Sequence, residues 1–120
     1  MFQAQMLHAN GTATETAVYS PWFPRGGDNI IFAADLVAQS SGNGKIDIDL
    51  LTKNSEDTGD GTAVTSSTLS LTDPGVGSLL VRGTLEELVR FRFTLSTDAD
   101  STDWVIFRVL QPSWFNDVVV

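Results

Sequence analysis

The sequence predicts an all-β fold: an antiparallel β-sandwich or jelly roll of about eight strands, with at most one short helical turn. Three observations lead there. Apolar residues recur with period two, as in Leu88–Leu95, where Val89, Phe91, Phe93 and Leu95 point one way and Arg90, Arg92 and Thr94 the other. The periodic stretches are short and separated by turn-forming clusters such as Asn10-Gly11, Gly26-Gly27, Asn43-Gly44 and Asp73-Pro74-Gly75. Two stretches, Asn29–Gln39 and Trp104–Leu110, are apolar on nearly both faces, which suits central strands covered on each side.

In chain order, residues 2–7 form a first strand with Phe2, Ala4 and Met6 on one side. Asn10-Gly11 turns the chain into a Thr-rich edge strand ending at Tyr19. Pro21-Trp22-Phe23-Pro24-Arg25-Gly26-Gly27 cannot be a central strand, because two prolines remove ladder donors. Its aromatics either cover one end of the core or offer a contact to a partner. In Asn29–Gln39, Ile30, Phe32, Ala34 and Leu36 share a face, and Asp35 lies on the other with Ile31 and Val37. Asn43-Gly44 predicts a hairpin into Lys45–Thr52, with Ile46, Ile48 and Leu50 facing in and Lys45, Asp47 and Asp49 facing out. A polar loop to Gly61 leads to a strand over Ala63–Leu71 and a short one over Leu79–Val81. Thr84, with Glu87 three residues on, reads as the cap of a single helical turn. The acidic stretch Asp98–Asp103 then joins Leu88–Leu95 to Trp104–Leu110 as a hairpin, the expected keel of the sandwich.

After Leu110 the pattern stops. Residues 1–111 therefore form the sandwich domain, and residues 112–120, with Trp114, Phe115, Val118, Val119 and Val120, an apolar C-terminal arm. The arm either folds back on its own core or lies on a neighbouring subunit.

A chain of 120 residues with 42% hydrophobic and 18% charged residues buries a real core as one domain. It contains no cysteine, which excludes disulfides, thiolate nucleophiles and cysteine metal sites. A formal net charge of -8 argues against nucleic-acid and anionic-membrane partners and favours solubility, a basic partner or a bound cation. The first residues lack the basic and apolar regions of a signal peptide, so synthesis in a cytoplasm is expected.

Catalytic chemistry finds little support. His8 is the single histidine and lies outside any nucleophile-elbow or metal-binding motif. Asp47 and Asp49 share a face, as two glycosidase carboxylates must, but pairing with Arg90 and Arg92 on a neighbouring strand is the simpler reading. Asp98, Asp100 and Asp103, or Glu56, Asp57 and Asp60, have the composition of a calcium loop but not the EF-hand pattern; solvated turns are the expectation, with no cofactor.

Three segments, Pro21–Gly27, Leu51–Asp57 and Leu85–Phe93, resemble in that order small β-sandwich auxiliary proteins, decoration or cement components, of tailed-bacteriophage capsids. The resemblance implies a non-enzymatic, homo-oligomeric virion protein on the capsid surface. It would stabilise the head by binding the major capsid protein through termini and loops. Met1, Phe2, Trp22, Phe23, Pro24, Arg25, Trp114, Phe115, Val118, Val119 and Val120 are the candidate partner-binding residues. The alternative is a glycan-binding β-sandwich module of a tail fibre or cell-surface assembly, using Trp22 and Trp114 as an exposed platform.

Overall fold

The computed structural model describes residues 2–8, 16–40, 45–83, 85–95 and 103–116. Eleven antiparallel strands form two sheets. One sheet contains β1 (Phe2–His8), β4 (Asn29–Gln39), β8 (Gly75–Arg82), β10 (Trp104–Val109) and β11 (Ser113–Phe115). The other contains β2 (Thr16–Tyr19), β3 (Phe23–Pro24), β5 (Ile46–Lys53), β6 (Thr62–Ala63), β7 (Leu69–Leu71) and β9 (Leu88–Leu95).

Three lanes are broken in two. β2 and β3 follow one another along β9, β7 and β6 along β5, and β10 and β11 along β4, so eleven strands fill eight lanes. β1 pairs with β10, β2/β3 with β9, β4 with β8 and β5 with β6/β7. The first lane thus pairs with the last and each later lane with its mirror image, which is the nested order of a jelly roll.

The breaks have local causes. At Pro21 the ladder loses a donor, and Ser20 replaces it: its amide donates to the Phe91 carbonyl and its hydroxyl accepts from the Phe91 amide, each at 2.9 Å. Between β6 and β7, buried Ser67 accepts from the Leu50 amide at 3.2 Å and donates to the Leu50 carbonyl at 3.3 Å. Pro112 is buried where β10 gives way to β11, and the Leu110 amide donates to the Ala33 carbonyl at 3.0 Å across that break.

The inward alternation of the central strands is as the sequence predicts. Ile30, Phe32, Ala34, Leu36, Ile46, Ile48, Leu50, Val89, Phe91 and Leu95 are all buried in one core. Rings from opposite sheets meet there: Phe93 of β9 lies 4.9 Å from Phe107 of β10, and Phe91 5.1 Å from Phe32 of β4.

Several predicted connections are corrected. β9 and β10 are not a hairpin; they lie in opposite sheets and meet face to face across the core. A hairpin would set their apolar faces side by side, both needing cover, whereas an arch lets each cover the other. β4 and β5 likewise belong to different sheets, so no hairpin forms there; Asn43 and Gly44 lie outside the described residues, as do Asn10 and Gly11. The strand expected over Ala63–Leu71 is the broken lane β6/β7, and the one at Leu79–Val81 extends over all of β8. Residues 85–87 are not helical: the Glu86 amide donates to the Thr52 hydroxyl at 2.7 Å, and the Glu87 carboxylate accepts from the Ser55 amide at 3.3 Å. Thr84 lies outside the described residues.

The alternation makes a sharp prediction for two neighbours. Ile30→Ala should cost about 2–5 kcal/mol of unfolding free energy in urea, because it opens a cavity between the sheets. Ile31→Ala, on the outer side of the same strand, should stay within about 0.5 kcal/mol of the parent.

Candidate functional site

Of the predicted contact residues, Phe23 and Trp114 meet at one end of the sandwich. β11 pairs Trp114 with Ile30, and cross-strand partners share a face, so the indole points toward the core. Its ring meets Phe23 edge-on at 6.4 Å, and Phe23 in turn lies 5.7 Å from Phe91. Gly26 lets the loop press against this indole: a Cβ there would come within 2.7 Å of the ring. The Asp28 amide donates to the Asn116 side-chain carbonyl at 3.0 Å, and the Arg82 guanidinium sits 5.5 Å from the Phe115 ring centre. Arg25 ties the loop to the body, its Nη1 donating to the Leu85 carbonyl at 2.8 Å and its amide to the Glu87 carbonyl at 3.1 Å.

The first part of the expected C-terminal arm therefore lies in the sheet, with Trp114 and Phe115 half-buried. Pro24 and Arg25 remain exposed beside them. Phe2 opens β1 opposite Val109. Met1, Val118, Val119 and Val120 lie outside the described residues.

Trp22 takes a different course. One residue more than β9 requires separates Tyr19 from Phe23, so the chain bulges and Trp22 reaches over the outer face of the sheet. There the Arg90 guanidinium is held between two rings, 4.2 Å from the centre of Tyr19 and 4.5 Å from that of Trp22, with Lys53 Nζ 4.8 Å from Trp22. Arg90 Nη2 donates to the Asp60 carbonyl at 2.9 Å, while its Nε is buried without a hydrogen-bond partner. Gly61 completes the seat: its φ of 84° favours glycine, and a Cβ would come within 2.5 Å of the Trp22 ring.

Asp49 meets Arg92, its cross-strand partner, and Arg92 Nη2 donates to Asp49 Oδ2 at 2.9 Å. The Thr68 hydroxyl donates to the other carboxylate oxygen. The hydrogen bond to Asp49 is the main cause holding the Arg92 pKa above its ordinary value, partly opposed by desolvation. Asp47 lies opposite Thr94, and Arg90 opposite Leu51, so the other charge pairs considered from the sequence do not form in register. Ala17, Tyr19, Asp47, Asp49, Arg92 and Thr94 line an open polar groove of about 500 Å³.

The described carboxylates Asp57 and Asp103 of the acidic loops are engaged within the chain. Asp57 Oδ2 accepts from the Asn54 amide at 3.0 Å and closes its own turn. Buried Asp103 accepts from the Ser40 hydroxyl at 3.0 Å, and that hydroxyl accepts from the Trp104 amide at 2.9 Å. Asp98 and Asp100 lie outside the described residues. Among the described residues no three His, Cys, Asp or Glu side chains gather as metal ligands, and no helix is long and apolar enough to cross a membrane.

No protein-family model matches the chain, and no curated protein matches it.

Two features escaped the sequence reading. The Tyr19–Arg90–Trp22 stack depends on a bulge, which leaves no periodic trace. The second is a surface: of the six exposed large hydrophobic residues among those described, Ile31, Val37, Val76 and Leu80 all occupy the outer side of β4 and β8. Its signal was present in the second apolar face of Asn29–Gln39, read there as a strand covered on both sides.

Substitutions at Asp49, Arg90 and Arg92 test the electrostatics. A double-mutant cycle on Asp49→Ala and Arg92→Ala should give a coupling of about 0.5–1 kcal/mol, since both groups are partly exposed. The same cycle on Asp49 and Arg90 should give none. Arg90→Lys should lower stability by about 1 kcal/mol in thermal or urea unfolding, because an ammonium cannot stack flat between two rings.

Proposed function

We propose that the chain is a non-enzymatic structural subunit of a virion: a decoration protein that binds the major capsid protein on the head surface of a tailed bacteriophage and stabilises it, as a homo-oligomer. The observation that carries this reading is the meeting of Phe23, Gly26 and Gly27 with Trp114 and Phe115 at one end of the body. Segments some ninety residues apart in sequence join there: half-buried Phe23 and Trp114 pack together, exposed Pro24 and Arg25 follow Phe23, and Arg82 sits beside the Phe115 ring. Half-buried aromatic side chains beside arginine are what interface centres are enriched in. The basic groups suit an acidic shell surface, in a chain that is otherwise acidic.

The rest of the body supports a scaffold role. Its charged side chains are engaged with one another, as Arg92 with Asp49, Arg108 with Asp35 and Arg90 with Asp60. Jelly rolls recur in both capsid and lectin domains, so the fold by itself favours the glycan reading equally. Against a glycan platform, Trp22 is faced by Arg90 and Lys53, and Trp114 by Gly26 and Phe23. The polar groove beside Tyr19 is where a sugar would be sought instead.

Immunogold labelling of gradient-purified virions carrying the gene tests the reading. Gold on heads is the expected result. Gold confined to tail tips would favour the glycan module, and protein absent from particles would reject a virion role. Pro24→Glu, at an exposed position, should lower the amount retained on heads at least about tenfold with an unchanged melting temperature.

A further inference from the structure

On the β1–β10/β11–β4–β8 sheet, the outer face of β4 and β8 is largely apolar where its counterpart on the other sheet is charged. Outward alternation on β4 places Ile31, Ala33, Asp35 and Val37 on this side. Register with β8 adds Leu80 beside Ile31 and Val76 beside Asp35. A bulge extends the patch: β10 pairs Ile106 with Ala38 and Phe107 with Leu36, so Val37 is the extra residue and stands half-exposed at 50%. Val76 is the most exposed, at 66%. At the centre, Arg108 lies directly opposite Asp35 and its Nε donates to Asp35 Oδ2 at 3.1 Å. By contrast, β5 and β9 present Lys45, Asp47, Asp49, Arg90 and Arg92 on the outer side of the other sheet.

We propose that this face binds the same face of a second copy of the chain, forming a two-fold dimer by sheet-on-sheet packing. Its charge pattern selects that occupant. The chain carries a net charge of -8, so two copies repel over most of their surface, but the middle of this face holds one acid beside one base amid apolar side chains, with Arg82 at its end. A two-fold axis near that pair brings each Asp35 toward the other copy's Arg108 and each Arg108 toward the other copy's Asp35. The central charges are then satisfied twice over, as an isologous interface requires. The area also fits. Four lanes about 4.8 Å apart, with four outward rows about 6.8 Å apart, cover about 500 Å² on each copy. The pair then buries about 1,000 Å², the lower limit of a specific interface, so the association is reversible and concentration-dependent. This rests on the homo-oligomer of the head-decoration reading and gives it an interface, but not on shell binding: the loop end is left free for a shell, and particle labelling and solution mass fail separately.

Sedimentation equilibrium on the whole chain tests the dimer. Across loading concentrations from about 1 to about 500 µM, the parent mass should rise from that of one chain toward that of two. Val76→Glu should hold it at one chain throughout. Asp35→Arg and Arg108→Asp should each be monomeric alone, and an equimolar mixture of the two should dimerise, since all four facing charges are then complementary. A parent that stays monomeric at the highest concentration overturns the proposal. So does a dimer that Val76→Glu leaves intact, an assembly of three or more copies, or a charge-swap mixture without recovery. Thermal melts verify folding of each variant; should a charge variant not fold, the parent against Val76→Glu decides.

Discussion

The molecule depends on a column of aromatic rings that pins its two sheets together. Phe107 meets Phe93, Phe93 lies 6.2 Å from Phe91, and Phe91 touches both Phe32 and Phe23, which leads on to Trp114. Both sheets contribute rings, and the column runs from the core to the loop end. Tilted and edge-on arrangements of this kind add to the area they bury. The strands supplying them follow from the same constraint. β9 must face β10 and β4 across the core, so consecutive lanes cross from sheet to sheet, and only β5 and its partner lane β6/β7 remain neighbours in both sequence and sheet. Nesting of the pairs, and hence the jelly roll, is the outcome.

That column also accounts for how the surface is divided. Phe23 and Trp114 are its last members, so the loop after Pro21 and the strand β11 are drawn to one end, where Gly26 admits the indole. Pro24, Arg25 and part of Phe115 are left outward there. On the flank, β4 must present a second face once its first is spent on the core, and that face bears Ile31 and Val37. The two surfaces differ in character: one gathers half-buried rings beside Arg25, the other is largely apolar around the Asp35–Arg108 pair. The proposed subunit would use the first for a shell and the second for its own copies.

Much of this was legible in the sequence because burial imposes a period of two. Ile30, Phe32, Ala34 and Leu36, and again Val89, Phe91, Phe93 and Leu95, announce their side of the strand without help. Eight lanes follow from the spacing of apolar runs and turns. What the period cannot convey is which strand lies beside which: Asn43-Gly44 is as good a turn in an arch as in a hairpin, and Leu88–Leu95 with Trp104–Leu110 looks the same either way. Bulges are silent too, since a single extra residue at Pro21 or Val37 reverses a side chain without altering composition. At the candidate site, the aromatic segments were visible, but not that Trp114 would enter the sheet opposite Ile30. Asp49 pairing with an arginine of β9 was foreseeable; that it is Arg92 and not Arg90 needed the register.

With its rings engaged within, the stiff body leaves the outer face of β4 and β8 for the self-contact proposed above. Methyl resonances of the labelled protein, followed over a dilution series, report on that face. Ile31, Val37, Val76 and Leu80 should shift together with concentration while Val18, on the opposite sheet, stays fixed. Shifts gathered instead on Val18 and the indoles of Trp22 and Trp114, or none at all, would contradict it.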